Sequence, residues 1–188
     1  MNDTIQAILN RRSVRAFQPE RQIEEEKLQA ILSTAICAPT SINQQKYHFT
    51  VLQNADLIHK IDDTIKGRML NSPIEFLRNQ AAQPGYAPLH HAPTVIFISS
   101  AHDAEYPAID CSLACENMVI AAASLGIASC VTTSSFFLFT SDAGVEIRNE
   151  LQIPQGNDYI IALALGYAQE GIEFPPRNRR TDVFNFVR

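Results

Sequence analysis

The sequence predicts a single domain in which amphipathic helices and short apolar strands are mixed, and three observations support this prediction. The chain has 188 residues, enough for one domain with a sizeable core and too few for two ordinary domains. Segments with apolar residues at helical spacing alternate with shorter runs of β-branched and aromatic residues. No repeat, low-complexity tract or Gly/Ser linker marks a boundary, so residues 1–188 are predicted to form one unit.

The charge of the chain limits its partners. The net charge is -5 and the pI about 5.5, which argues against a general surface for nucleic acid or for an anionic membrane. No apolar run approaches the roughly 18 residues of a membrane span, and the N-terminus begins with a polar turn where a leader would have charged and then apolar residues. We therefore expect a cytoplasmic protein that binds neither nucleic acid nor membrane.

The first helix is predicted to begin at Asp3, which together with Gln6 resembles a capping box. Its apolar residues Ile5, Ile8 and Leu9 share one face. We expect that face to be buried.

The stretch Arg-Arg-Ser-Val-Arg-Ala-Phe at residues 11–17 follows this helix. Cations in the last turn of a helix gain only roughly 0.3 to 1 kcal/mol, which would account for one or two arginines. Arg11, Ser13 and Arg15 alternate, so an extended segment places two guanidinium groups and a hydroxyl on one face. This face predicts an anion site, and a solvated basic helix end is the alternative that the stretch alone leaves open.

A second helix is predicted to open at residues 24–27, where acidic residues come first as the helix dipole favours, and to stop before Pro39. The loop at residues 38–45 then carries many amides and hydroxyls, which bind either their own backbone or a ligand rich in carbonyls and ring nitrogens. From these residues alone the turn-forming role is favoured. The buried stripe of the helix is predicted to consist of Leu28, Ile31, Leu32, Ala35 and Ile36.

The middle of the chain alternates between strands and helices. Strands are predicted at Tyr47–Leu52 and at residues 94–100, with a helix at residues 57–69 between them. Residues 71–91 have mixed polarity and several prolines, which is typical of a functional loop or of short irregular helices. His90 and His91 are adjacent and diverge on a regular backbone, so neither is predicted to bind a metal.

The longest helix is predicted at residues 107–125 and is apolar on more than one side. Such a helix belongs in the middle of the core or across a subunit interface. Gly126 is predicted to end it in the left-handed conformation, and a short strand, Ala128–Thr132, follows.

The last third of the chain holds three further predicted features. Phe136–Phe139 is predicted to be an apolar loop that covers a pocket or a partner, with Thr140 or Ser141 capping a helix that ends near Leu151. A central strand is predicted at residues 159–167. An edge strand is predicted at residues 183–186, after a proline-rich extended tail.

The four cysteines show no Cys-x-x-Cys pair and no histidine at metal spacing, so zinc and thioredoxin-type chemistry are not expected. Cys37, Cys111, Cys115 and Cys130 are predicted to be small buried residues in a reducing compartment.

Taken in order, several segments resemble the FMN-dependent nitroreductases in their small, single-domain form. Each segment is weak alone, but together they cover most of the chain. They are R-R-S-V-R-A-F at 11–17, A-P-T-S-I-N-Q-Q at 38–45, H-A-P-T-V-I-F at 91–97, D-C-S-L-A-C-E-N-M-V-I-A-A-A-S-L-G-I-A-S-C at 110–130, A-L-A-L-G-Y at 162–167 and P-P-R-N-R-R at 175–180.

The resemblance implies an α+β fold with a mixed, mostly antiparallel central sheet surrounded by helices. It implies an intertwined homodimer that binds two FMN molecules at the subunit interface, with residues 168–188 as an extension that packs on the partner. The chain has no G-x-G-x-x-G motif and no Walker loop, so side chains would have to hold the FMN phosphate. Arginine forks suit that geometry.

The resemblance also implies roles for individual residues. The phosphate and ribityl chain would be met by Arg11, Arg12 and Ser13, and Arg177 and Arg179 would close the phosphate site. Arg15 would face the N1 and O2 edge of the flavin ring, and Thr133 and Ser134 would lie near N5. The partner subunit would line the ring with Pro39, Thr40, Ser41 and Asn43.

Three positions depart from the family pattern. Lys46 stands where the family commonly has proline, and Tyr47 where tryptophan is common, but both lie beside the loop and leave FMN binding intact. Thr133 stands where glycine is frequent. A side chain there changes the N5 contact, which the family usually makes with bare backbone.

The activity implied is two-electron reduction of nitroaromatics, quinones or related acceptors, with NADH or NADPH as donor in a ping-pong cycle. Three alternatives stay open: another flavoenzyme of the same fold, of dehalogenase or flavin-fragmenting type; a flavin-binding redox sensor; and a cysteine-based activity at Cys111 and Cys115. The apolar neighbours of these two cysteines favour buried, inert thiols over the last alternative.

Overall fold

The structure is a computed structural model that describes residues 2–141 and 143–188. Its centre is an antiparallel sheet in the order β1-β2-β4-β3, formed by β1 (Tyr47–Leu52), β2 (Thr94–Ala101), β3 (Ala128–Thr132) and β4 (Asn157–Gly166). The helices are α1 (Asp3–Asn10), α2 (Glu25–Ala35), α3 (Ala55–Leu70), α4 (Glu75–Ala81), α5 (Pro107–Ser124), α6 (Phe136–Phe139) and α7 (Ala143–Glu150).

The strand β2 shows how the sheet is covered on both faces. Its side chains alternate between two apolar clusters, since successive residues of a strand point to opposite faces. Val95 and Phe97 belong to a cluster that also contains residues of α3, whereas Ile96 and Ile98 belong to a cluster with residues of α2 and α5. The domain therefore has three layers, and the predicted α+β class is confirmed.

The strand predictions agree closely with the structure because β-branched and aromatic residues follow one another in each strand. The bounds of β1 and β3 are as predicted, β2 extends one residue further, and β4 begins two residues earlier and ends one earlier. Gly126 has the predicted left-handed conformation, with φ at 72°. Gly166 is required for a different reason: a Cβ built there would lie 2.7 Å from Cδ of Pro93 and 3.2 Å from Cδ1 of Phe17.

The apolar face of α1 corrects a prediction. Ile5, Ile8 and Leu9 are 45%, 45% and 49% exposed, and the helix buries none of its residues. The N-cap is Asn2 and not Asp3, because the Asn2 side chain accepts a hydrogen bond from the backbone N–H of Ile5. An apolar stripe predicts burial but does not reveal whether the same chain covers it.

Two predictions around the end of α2 were also wrong. Ile36 is 64% exposed because the helix ends at Ala35 and the chain turns before Ile36 can join the buried stripe. Cys37, predicted to be buried, is exposed in the same turn, whereas the other three cysteines are buried.

The segment Phe136–Phe139 is a single helical turn, which corrects the prediction of a loop. The hydroxyls of Thr140 and Ser141 donate backwards to the carbonyls of Phe136 and Leu138. Residue 142, which precedes α7, lies outside the described residues, so the predicted capping of α7 by Thr140 or Ser141 stays a prediction. Residues 183–186 do not form the predicted strand, because among residues 2–141 and 143–188 no strand pairs with the tail.

Candidate functional site

The segment that follows α1 runs beside β3 and positions the predicted arginines. Ser13 forms a parallel β-bridge with Ser129, and the backbone N–H of Val14 donates to the carbonyl of Ser129 at 2.9 Å. Val14 and Phe17 are buried in the core, so the segment is fixed in an extended conformation. Arginines placed before and after Ser13 are therefore held along the edge of β3.

The first cavity, called here the arginine cavity, has a volume of about 500 Å³. It is lined by Asp3 of α1, by Arg11 and Arg12 after that helix, by Ser129 of β3 and by Phe174 of the tail. Arg11 also lies 3.9 Å from the carboxylate of Glu116 on α5.

The C-terminal segment reaches this cavity from the other end of the chain. Arg12 donates to the carbonyl of Pro175 at 3.3 Å, and its guanidinium group lies 5.7 Å from the centre of the Phe174 ring. The Arg177 guanidinium group donates to the carbonyl of Arg11. The pKa of Arg177 is lowered from its usual value by desolvation and by the neighbouring charges of Arg12, Arg179 and Arg11. Four arginines thus converge at one place.

The second cavity, called here the β3-end cavity, has a volume of about 240 Å³ and opens where β3 ends. Arg15, Thr133 and Ser134 line it, with Tyr86 and His90 from the loop before β2. The Ser134 hydroxyl lies 2.8 Å from that of Thr132 and donates to the carbonyl of Pro88 at 3.3 Å, which fixes the loop against the strand end. Residues of β3 line both cavities, so the two cavities lie along the same strand and together make up the candidate site.

The loop at residues 38–45, which was predicted to reach the partner subunit, does not line the two cavities at β3. Pro39, Thr40 and Ser41 line a third cavity with Ile109 and Leu113 of α5, called here the loop cavity. Asn43 lines none of the three. The single chain therefore does not bring residues 39–43 to the two cavities at β3.

The loop at residues 38–45 is held in a strained conformation. Ile42, Asn43 and Gln45 have φ values of 41°, 59° and 50°, a region that L-residues rarely adopt. The backbone N–H of Ser41 donates to both carboxylate oxygens of Asp110 at 3.3 Å. Thr40 caps the turn by accepting from the N–H of Gln45 at 3.1 Å.

The structure thus groups the predicted site residues into three sets. Arg11, Arg12 and Arg177 lie together, with Arg179 near enough to lower the pKa of Arg177. Ser13 is exposed on the bridge that leads to the second set, Arg15, Thr133 and Ser134. Sequence reasoning missed Tyr86 and His90 at the β3-end cavity and Glu116 beside Arg11, since only the folded chain brings them there.

Two other kinds of site find no support in the described residues. Burial raises the pKa of Cys111 and of Cys115 to about 12, so both thiols stay protonated at neutral pH. Within residues 2–141 and 143–188, no three His, Cys, Asp or Glu side chains come together as a metal site would require.

No helix in the same part of the chain is long and apolar enough to cross a membrane.

Comparison with known proteins identifies the family. The model of the nitroreductase family matches residues 8–167 of the chain. The chain belongs to the nitroreductase family. Members of this family are oxidoreductases, and the matched range contains the extended arginine segment, β3 and the β3-end cavity.

Similar proteins agree with this nitroreductase assignment. A putative NADH dehydrogenase/NAD(P)H nitroreductase of Methanothermobacter thermautotrophicus is 29% identical over 89% of the chain and 78% of its own length. A crystal structure of a nitroreductase with bound FMN from Bacteroides fragilis has a TM-score of 0.92, with 30% identity over the whole of both chains. An FMN-bound nitroreductase from Desulfitobacterium hafniense has a TM-score of 0.91 at 26% identity, again over both whole chains. The nitroreductase fold is therefore confirmed.

The same fold also carries other chemistry. A structure of iodotyrosine deiodinase bound to FMN and 3-iodo-L-tyrosine has a TM-score of 0.72 at 20% identity, covering 98% of this chain and 100% of that one. At that identity the likeness concerns the fold alone.

Proposed function

We propose that this nitroreductase-family chain is an FMN-dependent NAD(P)H oxidoreductase that reduces nitroaromatics, quinones or related acceptors by two electrons in a ping-pong cycle. The observation that carries the proposal is the convergence of arginines from both ends of the chain beside the arginine cavity. Relatives named as NAD(P)H nitroreductases and neighbours solved with FMN support the choice of cofactor and donor.

The charge at the arginine cavity fits a phosphate. Arg11, Arg12, Arg177 and Arg179 lie together, with Glu116 3.9 Å from Arg11 and Asp3 in the lining of the cavity. The pKa of Arg177 is lowered by desolvation and then by repulsion from the other three arginines. A dianionic phosphate would relieve this repulsion through charge-assisted hydrogen bonds. Ser13 and Ser129 would add neutral hydroxyls along the ribityl chain.

The β3-end cavity fits the flavin ring. Arg15 would stabilise negative charge at the N1 and O2 edge, while Thr133 and Ser134 would lie near N5. When bound, FMN supplies the chemistry by accepting a hydride from NAD(P)H and passing two electrons to the acceptor. The protein would orient the ring and set its electrostatic surroundings.

A second copy of the chain would complete the site as a homodimer. The exposed apolar faces of α1 and of α5, where Ile109 and Leu113 are 57% and 42% exposed, are the surfaces we assign to this interface. The neighbouring residues Pro39, Thr40, Ser41 and Asn43 would reach the flavin of the partner, and residues 168–188 would pack on it. Four free cysteines support a reducing compartment, the cytoplasm.

The first experiment is a visible spectrum of the purified protein under anaerobic conditions, recorded before and after addition of NADH or NADPH. We expect a flavin band that bleaches on addition and returns when a quinone or nitroaromatic is added. A flavin band that NAD(P)H leaves unchanged would indicate a sensor. Bleaching without turnover of quinones would indicate a dehalogenase or flavin-fragmenting enzyme, and no band after addition of FMN would refute the proposal.

A further inference from the structure

The loop between α4 and β2 presents one side chain, His90, to the β3-end cavity. His90 lines this cavity together with Arg15, Thr133 and Ser134, and its side chain is half-buried. Desolvation lowers the pKa of His90 to about 4, with the charges of Arg15 and His91 acting in the same direction. The imidazole is therefore neutral at physiological pH.

The backbone that carries His90 is strained and well anchored. His90 and His91 have φ values of 63° and 56°, and left-handed residues other than glycine persist only where the surrounding structure imposes that conformation. Here the buried carboxylate of Asp62 accepts from the N–H of Leu89 at 2.7 Å, and the N–H of His90 donates to the carbonyl of Ala87 at 2.9 Å. Strain held in place this firmly is typical of functional positions.

The two histidines differ in what their rings do. The Nε2 atom of His91 lies 3.1 Å from the carbonyl of Gly85, so that ring bonds to its own loop. The ring of His90 makes no hydrogen bond to any residue in the described part of the chain. A half-buried imidazole with both nitrogens free, directed into a cavity, is available to a ligand.

Resting on the proposed function, we propose that His90 binds the flavin ring: one ring N–H donates to a carbonyl oxygen on the pyrimidine side of the ring, beside Arg15. The neutral imidazole supplies a directional hydrogen bond without adding a second positive charge next to Arg15. The strained loop is bonded to α3 through Asp62 and to the segment after β3 through Ser134, and it holds the donor in place. His90 is thus a flavin-binding residue that belongs to this chain's own loop.

The test compares His90→Ala with His91→Ala, since both substitutions place alanine at a left-handed position of the same loop. Dissociation constants are measured for FMN and for riboflavin, which share the ring and differ in the phosphate. We expect His90→Ala to weaken both ligands equally, by about 3- to 10-fold, and to lower the reduction potential of bound FMN. His91→Ala should change neither quantity.

Other outcomes would overturn the inference. Equal affinities for His90→Ala and His91→Ala would remove His90 from the flavin site, and a loss confined to FMN would move its effect to the phosphate. If His90→Ala does not fold, His90→Asn is measured in its place, because asparagine tolerates a left-handed backbone; with its shorter amide donor it should bind riboflavin more weakly than His91→Ala does, and equal binding would overturn the inference. A wild-type protein that binds no flavin refutes the proposed function itself, which is a distinct result.

Discussion

At the scale of single residues, Arg15 is the side chain we expect to tune the cofactor. It lines the β3-end cavity, and reduced FMN carries negative charge near N1, so a charge-assisted hydrogen bond favours the reduced form by about 1.5 to 3 kcal/mol. Arg15→Ala should lower the two-electron potential by about 30 to 65 mV while FMN still binds. Spectroelectrochemistry measures this shift, with Arg68→Ala, an exposed arginine of α3, as control. An unchanged potential in the loaded variant would remove Arg15 from this role.

The arginines that converge beside the arginine cavity should contribute to binding of the FMN phosphate and not to binding of the flavin ring. Arg11→Ala or Arg179→Ala should weaken FMN by about 10- to 150-fold and leave riboflavin nearly unaffected, because only FMN carries the phosphate. The matched control is Arg180→Ala, since Arg180 is already paired with Asp182 at 2.9 Å. Equal loss of both ligands would mean that the arginines serve folding and not phosphate binding.

Asp62 makes a prediction about stability and pH. Burial raises its pKa from 3.8 to about 6, so the folded state holds this proton more tightly than the unfolded state. The free energy of unfolding is therefore reduced as pH rises from about 4 to 6, by about 3 kcal/mol in total. Asp62→Asn keeps an acceptor for the N–H of Leu89 and should be more stable than the wild type above pH 6 but not at pH 4. Urea unfolding at pH 4 and at pH 8 tests this.

The control for that experiment is Asp63→Asn, which removes the charge of the exposed neighbour on the same helix. This substitution should change the free energy of unfolding only slightly, and by the same amount at pH 4 and at pH 8. If Asp62→Asn is more stable than the wild type by the same amount at both pH values, the explanation by burial of the charged carboxylate is contradicted.

At the scale of elements, the strained loop at residues 38–45 depends on its bond to α5. The Ser41 N–H donates to the carboxylate of Asp110, which is 7% exposed. Asp110→Ala should accelerate hydrogen exchange at the Ser41 amide by about 10-fold or more, since hydrogen bonds to charged groups contribute about 1.5 to 3 kcal/mol. Glu105→Ala is the control, because Glu105 bonds the Ser41 hydroxyl at 3.0 Å and not its N–H. Unchanged exchange in Asp110→Ala would contradict this account.

The elements also show what the sequence could predict. The strand bounds were predicted to within two residues, because in each strand both the residue types and the pattern of apolar residues indicate a strand, as in the buried run of β2. Ile36 and the tail at residues 183–186 were predicted wrongly, because local period does not reveal where a helix ends or whether a neighbouring strand exists. At the site, the family resemblance predicted that arginines from both termini of the chain would lie together. The place of His90 at the β3-end cavity could not be found, because it depends on a left-handed backbone next to Leu89, whose N–H bonds to Asp62, a residue distant in sequence.

At the scale of the whole molecule, we expect a dimer in solution with twice the 20.9 kDa mass of the chain. Ile109→Glu should produce a monomer, because each interface would then bury two carboxylates among apolar side chains. The control is Val145→Glu on α7, where an equally exposed apolar residue lies outside the proposed interface. Analytical ultracentrifugation gives the mass. A dimer that survives Ile109→Glu would place the interface elsewhere.

The glycine at the end of β4 has a consequence for how this chain can change over generations. Gly166 is excluded from carrying a side chain by the ring of Pro93 and by Phe17, and not by its own backbone angles. The contact with Pro93 is the severe one, so a lineage can acquire alanine at position 166 only after position 93 has lost its proline ring. The order of these substitutions is imposed by space, so ancestral sequences that differ at position 166 should differ at position 93 as well.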